Sequence, residues 1–188
     1  MLDTRPPPRQ ARGAAKRALI LDAAERLLAR VPPAALTTTQ VATAAGVPVG
    51  SIYRYFANAD ALLAALFARM NEGTSAALGA GAAEDWRAAL ARVARVVRAM
   101  HDAHPAYGAL MTYLQARGAA GDRIPDAVAA RLVREAGLSE ARAALVAGTL
   151  VALFEGVERR HHVLPEAERD AAWAEGMRAV EAYLASVL

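Results

Sequence analysis

The apolar residues of this chain recur at the spacing of an α-helix. From Ile20 to Leu28 they fall at positions i, i+3, i+4, i+7 and i+8, which places them on one face of a helix. Similar segments follow after Asn58 and over about 84–103, 105–117, 125–136, 139–162 and 165–187, with glycine or proline residues between most of them. No segment shows the alternation of a β-strand. With two short helices described below, the pattern predicts an all-α chain of about nine helices.

Composition restricts the compartment and the chemistry. Hydrophobic residues make up 55% of the chain and charged residues 22%, as in globular proteins. The chain has no cysteine, which excludes disulfides, thiolate zinc sites and cysteine nucleophiles. The N-terminus shows no apolar signal segment, and the apolar run Ala143–Phe154 of 12 residues is too short to span a bilayer. We therefore expect a soluble, cytoplasmic protein that does not enter the membrane.

Positive charge is concentrated at the N-terminus. Residues 1–17 hold five basic side chains against Asp3, a net charge of +4, so the rest of the chain sums to −1 within the total of +3. The run Pro6-Pro7-Pro8 and the arginines around it predict a disordered basic arm over residues 1–14. The arm is either attracted to phosphate groups or simply a solvated tail.

The segment Thr37–Phe56 predicts two short helices joined by a tight turn. A threonine hydroxyl can cap the first helix, which runs to about Ala45, and Gly46 suits the left-handed residue that ends it. Pro48 fits the first position of the second helix. Small or branched apolar side chains face inward: Val41, Ala42, Ala45, Val47 and Ile52. This is helix-turn-helix architecture, in which the second helix enters the major groove of DNA.

Both short helices carry candidate DNA contacts. The free amides at the start of the first helix, beside Thr37, Thr38 and Thr39, form a phosphate site through the helix dipole and hydrogen bonds. Tyr53 and Tyr55 lie roughly 200° apart around the second helix, so one should face DNA and the other the domain.

The motif resembles the DNA-binding domain of the tetracycline-repressor (TetR) family of bacterial transcriptional regulators. The resemblance covers about residues 15–70 and runs without a gap through the pattern A-G-V-x-x-G-x-[IL]-Y-x-[HY]-F, which stands here at Ala45 to Phe56. It implies that Thr37 and Thr38 contact phosphate and that Thr39 lies near the groove. Further contacts to bases or backbone would come from Pro48, Val49, Gly50, Ser51, Tyr53, Arg54 and Tyr55. Two departures are Ala59, where the family often has a phosphate-binding lysine, and Pro32-Pro33, where it has a glycine-aromatic step.

The resemblance also implies a domain order and a dimer. A helix-turn-helix domain covers residues 15–60, a connecting helix and linker 61–82, and a ligand-binding and dimerisation domain 83–188. The predicted helix over 139–162 is apolar on nearly every side, so it is either the buried centre of a monomer or part of a homodimer interface. The predicted interface residues are Leu145, Gly148, Ala152, Trp173, Val180 and Leu184.

Large side chains in the C-terminal half predict either a ligand pocket or an ordinary core: Trp86, Met100, Tyr107, Met111, Tyr113 and Phe154. Such a pocket suits an apolar or aromatic effector. His101 and His104 could bind a metal, but no carboxylate cluster accompanies them, so we interpret them as an exposed helix end. His161-His162 is interpreted as a surface corner. We predict no metal and no cofactor.

The sequence carries no Gly-rich phosphate loop, nucleophile elbow or metal signature, so we predict no enzymatic activity. The predicted function is a homodimeric, ligand-responsive regulator of transcription. In this hypothesis a small effector releases a repressor from a palindromic operator in double-stranded DNA. The alternative is an architectural DNA-binding protein, which needs no effector and no cavity in residues 80–188.

Overall fold

The computed structural model describes residues 9–79, 85–118 and 124–188, and within these ranges the fold is all-α. The helices are α1 (Arg9–Leu28), α2 (Thr38–Ala45), α3 (Val49–Tyr53), α4 (Ala59–Met70), α5 (Glu72–Gly79), α6 (Trp86–Ala103), α7 (Tyr107–Gln115), α8 (Ile124–Ala136), α9 (Glu140–Val163) and α10 (Glu166–Val187). A 3₁₀ turn at Pro33–Ala35 joins α1 to α2. Most predicted bounds agree with these helices to within two or three residues.

Helix α1 begins earlier than the sequence pattern indicated. It starts at Arg9, so residues 9–14, predicted to belong to a disordered arm, are helical. The reason is local: Ala11, Ala14 and Ala15 favour helix strongly, and the proline run ends at Pro8. Residues 1–8, the remainder of the predicted arm, lie outside the described residues.

The chain forms two compact units. The first comprises residues up to Arg69 together with Ala109–Ala120, and the second comprises Met70–Gly108 and Gly121–Leu188. The chain therefore passes from one unit to the other within α7.

Buried aliphatic side chains from several helices fill the core of the first unit: Ile20, Leu21, Val41, Ile52, Leu62, Leu63, Leu66, Leu110 and Leu114. On α4, Arg69 donates to Asp22 at 2.6 Å and to Glu25 at 2.8 Å, both on α1. Helix α4 begins next to Asn58, whose Oδ1 accepts from the amide of Ala61 at 2.8 Å. Asn58 thus caps the start of α4, and Arg69 fixes its end to α1.

The second unit is built on the long helices α9 and α10, with α8 against α9. Its apolar core consists of Leu132, Ala143, Val146, Ala147, Leu150, Val180 and Leu184. Gly176 permits the close approach of α10 to α9, because a Cβ added there would overlap the side chain of Val157. The sequence marks the start of α9 with Ser139, whose hydroxyl accepts from the amide of Arg142 at 3.4 Å.

Candidate DNA-binding site and ligand-binding unit

Thr37 and Gln40 close the N-terminus of α2 with a reciprocal pair of hydrogen bonds. The Thr37 hydroxyl accepts from the Gln40 amide at 3.2 Å, and the Gln40 side-chain oxygen accepts from the Thr37 amide at 2.8 Å. The Thr37 hydroxyl also donates to that oxygen at 3.0 Å. The amides of Thr38 and Thr39, in the first turn, have no acceptor within the helix. The N-terminus of α2 therefore presents these two amides to a partner, and Thr37 caps this terminus.

The turn between α2 and α3 follows the predicted geometry. Gly46 has φ 65° and ends α2 in the left-handed conformation. Pro48 is the residue immediately before α3, whose last residue is Tyr53. Ile52 is fully buried on the inner side of α3. The outer side of this short helix is left for solvent or a partner.

The two tyrosines of the motif lie in different environments, as their angular separation predicts. Tyr53 is 56% exposed, and its hydroxyl lies 3.2 Å from the hydroxyl of Thr38. Tyr55 is half-buried and contacts Phe56, with ring centroids 6.4 Å apart. Tyr53 is thus the outward-facing tyrosine, and it is hydrogen-bonded to the start of α2.

The other predicted DNA contacts are exposed or half-buried. Thr39, Pro48, Gly50 and Arg54 are exposed, while Val49 and Ser51 are half-buried. Hydroxyl groups, backbone amides and one guanidinium offer donors to phosphate oxygens. The edge of α3 is narrow enough to enter a major groove.

The six residues predicted to line a pocket are divided between the two units. Met111 and Tyr113 belong to the first unit, and Trp86, Met100, Tyr107 and Phe154 belong to the second. The Tyr113 hydroxyl donates to Asp60 at 2.7 Å, and this hydrogen bond and burial raise the Tyr113 pKa. Arg117 lies 3.9 Å from the Tyr113 ring.

In the second unit, Trp86 and Phe154 pack against the apolar core, while Met100 and Tyr107 are buried. The Tyr107 hydroxyl donates to Asn71 at 3.0 Å.

Two histidines that were predicted to be exposed are buried in the structure. His101 and His161, interpreted as surface residues, are 3% and 5% exposed. The histidines are buried because His101 lies on the inner face of α6, near Glu158, and His161 packs against Trp173. His101 lies four residues after the buried Val97, and His161 lies seven residues after Phe154, so helical spacing was the available signal. Burial, followed by the nearby charges of Arg98, His101 and Arg169, lowers the pKa of His161.

A groove of about 450 Å³ runs along α6 beside Trp173 and is lined by Ala91, Ala94, Arg95, Arg98, Ala99, Asp102 and Trp173. We call it the α6 groove. None of the six predicted pocket residues lines it. Trp173, assigned from the sequence to the dimer interface, does.

The predicted interface residues divide into two sets. Trp173, Val180 and Leu184 are buried within their own unit. Leu145 is 68% exposed, and Gly148 and Ala152 are exposed on the same helix, α9. These three leave an apolar strip of α9 uncovered in the single chain.

The described residues contain neither a metal-binding group nor a membrane-spanning helix. They contain no group of three or more histidine or acidic side chains suited to a metal ion. No helix among them has the length and apolar character needed to cross a membrane.

A helix-turn-helix with an outward-facing second helix, attached to a separate helical unit, defines a DNA-binding regulator of transcription. Comparison with known proteins specifies the family. Residues 20–66 match the family model described as bacterial regulatory proteins, tetR family. No curated protein sequence is significantly similar to the chain.

Solved structures resemble the chain over most of its length. A TetR-family transcriptional regulator from Streptomyces coelicolor is 26% identical, with a TM-score of 0.75 over 92% of this chain and 99% of that one. A TetR variant from Acinetobacter baumannii AYE in complex with minocycline is 22% identical, with a TM-score of 0.70 over 89% and 93% of the two chains. The multidrug binding protein EbrR, complexed with imidazole, is 23% identical, with a TM-score of 0.62 over 87% and 89%. Residues 20–66 thus resemble the DNA-binding domain of the tetR family, and the solved structures of TetR-family regulators share the fold of most of the chain.

Proposed function

We propose that the chain is a ligand-responsive repressor. Two copies bind a near-palindromic operator in double-stranded DNA, and a small apolar or aromatic effector releases them. The observation that carries the proposal is the exposed Tyr53. Its hydroxyl is hydrogen-bonded to Thr38 at the N-terminus of α2, where free amides are presented. A phenol ring held at the outer edge of the second helix of a helix-turn-helix suits contact with DNA better than any role within the chain.

The residues around Tyr53 are suited to different contacts with DNA. The α2 terminus, with Thr38 and Thr39, is suited to a phosphate of the DNA backbone. Val49 has no side-chain hydrogen bond to offer, so apolar contact with a thymine methyl fits it. Gly50 has open space around its Cα, which allows the DNA backbone to come near.

A selection of bound sequences from random double-stranded DNA tests operator recognition. We expect a near-palindrome whose half-sites are separated by about 34–36 Å or a multiple of that spacing. Affinity for the selected sequence should fall steeply with salt, because phosphate contacts release counterions. Enrichment of no sequence, with equal affinity for all DNA, would favour the architectural alternative.

The effector part of the proposal is supported by what the structural neighbours hold. One is in complex with minocycline and another with imidazole, so helical units of this kind accept small molecules that contain rings. In this chain the second unit has the α6 groove and aromatic side chains near it. For release, the effector must bind the form that does not hold operator more tightly, since each 1.4 kcal/mol of difference changes operator affinity about tenfold.

A thermal-shift screen with small ring compounds, followed by operator release, tests the effector. We expect compounds that raise the melting temperature to weaken operator binding. A screen in which no compound both binds and releases operator DNA would again favour the architectural alternative.

A further inference from the structure

The interior of the second unit contains an acidic side chain among aromatic rings. Glu158 and His101 are both buried, and Oε1 of Glu158 lies 3.4 Å from Nε2 of His101. On α9, Phe154 and His161 lie four residues before and three residues after Glu158, so they share its side of the helix. We define the Glu158 cluster as His101, Tyr107, Phe154, Glu158, His161 and Trp173.

The rings of the Glu158 cluster form a connected series of edge contacts. His101 lies 4.7 Å from Tyr107 and 6.5 Å from His161, measured between ring centroids. Trp173 lies 5.6 Å from His161 and 6.0 Å from Phe154. Trp173 thus contacts Phe154 and His161, the residues that flank Glu158 on that side of α9.

Stability alone does not account for this carboxylate. Taking a carboxylate out of water costs several kcal/mol, and an apolar pair of the same size is often more stable. The separation of 3.4 Å from His101 exceeds the about 2.7–2.9 Å of a strong charge-assisted hydrogen bond. Among the described residues, the buried polar side chains all lie in the second unit, while the core of the first unit is apolar. The buried polar side chains are therefore concentrated in the unit that we propose binds the effector.

We propose that the Glu158 cluster binds the positively charged group of the effector, which is a small aromatic cation such as a protonated amine carried on a ring. The inference rests on the proposed function, because it specifies the effector of that regulator. The carboxylate supplies the opposite charge, and the faces of the surrounding rings attract a cation. In the free protein His101 occupies the position beside the carboxylate that the effector takes.

The α6 groove gives the cluster an approach from solvent. Its volume of about 450 Å³ lies within the range of ligand pockets. Trp173, a member of the cluster, lines the groove and also contacts His161 and Phe154, so the groove adjoins the cluster. Arg98, 5.6 Å from the Trp173 ring, forms an ion pair with Asp170, which balances its charge at the entrance.

Three probes with one ring and different head groups test the charge preference: benzylamine, benzyl alcohol and benzoate. The chain has two tryptophans, so in a Trp86→Phe variant the fluorescence reports on Trp173. We expect benzylamine to quench this fluorescence saturably, with a Kd at least tenfold lower than those of the two other probes. Equal or tighter binding of benzyl alcohol or benzoate, or the absence of saturable binding of benzylamine, would overturn the inference.

Glu158→Gln tests the site, because it keeps the size of the side chain and removes its charge. We expect the variant to bind benzylamine at least tenfold more weakly and benzyl alcohol equally well. Glu140→Gln is the matched control, since Glu140 is an exposed residue of the same helix, and it should bind benzylamine like the wild type. Unchanged benzylamine binding in Glu158→Gln would place the cation elsewhere.

A readout on the wild type avoids dependence on the folding of the variant. Benzylamine should shift the side-chain carboxyl resonance of Glu158 in protein labelled with ¹³C-glutamate, and an unmoved resonance would contradict the inference. Operator binding is measured in parallel. A protein that holds operator DNA but does not prefer benzylamine contradicts the cationic effector alone, whereas one that selects no operator contradicts the proposed function.

Discussion

At the scale of single residues, His161 makes the stability of the second unit depend on pH. Burial against Trp173, together with the nearby positive charges, lowers its pKa below the ordinary value of 6.5. As the pH falls, the unfolded chain therefore binds a proton at this site at a higher pH than the folded chain does. The stability gained by keeping His161 neutral is complete above about pH 6.5 and is lost as the pH falls below that value.

We expect the free energy of unfolding, from urea denaturation, to decrease between pH 7 and pH 5.5. A single site can contribute at most about 1.4 kcal/mol per pH unit to this decrease. His161→Phe, which retains a ring beside Trp173, should show a smaller decrease. An identical pH dependence in the variant would exclude His161 as the cause.

Tyr53 is the residue on which operator recognition should depend most. We expect Tyr53→Ala to lose specific operator binding, measured by fluorescence anisotropy with the selected operator. Its melting temperature should stay close to that of the wild type, because an exposed side chain contributes within about 0.5 kcal/mol to stability.

Tyr183→Phe is the control for the Tyr53 experiment, since Tyr183 lies on α10 against the core of the second unit and outside the helix-turn-helix. This variant should bind the operator normally. Wild-type affinity in Tyr53→Ala would remove the observation on which the proposed function depends.

At the scale of helices, Gly176 sets the distance between α9 and α10. A methyl group at this position would overlap the branched side chain of Val157, which cannot rotate away freely within a helix. We expect Gly176→Ala to destabilise the protein by about 1–3 kcal/mol, as overpacking of a core does. Thermal or urea denaturation measures the change.

Gly79→Ala is the control for this substitution. Gly79 is also helical, but no atom lies within 4 Å of the position its Cβ would take. The control should lose no stability. A Gly176→Ala variant as stable as the wild type would show that α10 can move away from α9 without cost.

The helices were largely predictable because they depend on local signals. The repeat of apolar residues located them, and Gly46 and Asn58 marked ends that the structure confirms through a left-handed backbone or a capping hydrogen bond. The disordered arm was predicted wrongly at residues 9–14, where alanine and arginine both favour helix and the proline run has ended.

The site was less predictable, because it depends on contacts between distant residues. Position in sequence did not show that Tyr113 would bind Asp60, or that Glu158 would lie beside His101.

At the scale of the whole molecule, the exposed strip of α9 should hold two copies together. Leu145 is 68% exposed, and Gly148 and Ala152 would allow a second helix to come close. Gly148→Glu places a charge in this strip, so we expect monomers in light scattering at micromolar concentration, where the wild type is a dimer. Thr43→Glu, on the exposed side of α2, is a control for added charge and should remain dimeric. A monomeric wild type would contradict the dimer.

The hydrogen bond between Thr38 and Tyr53 has a consequence for the thermodynamics of DNA binding. A tyrosine free to rotate loses conformational entropy when it is fixed against a partner. Here the ring is held before the DNA arrives, because the two hydroxyls lie 3.2 Å apart in the free protein. Because that entropy is lost during folding, DNA binding requires less ordering of the protein surface around Tyr53. The α2 helix thereby contributes to affinity through a residue that need not itself contact a base.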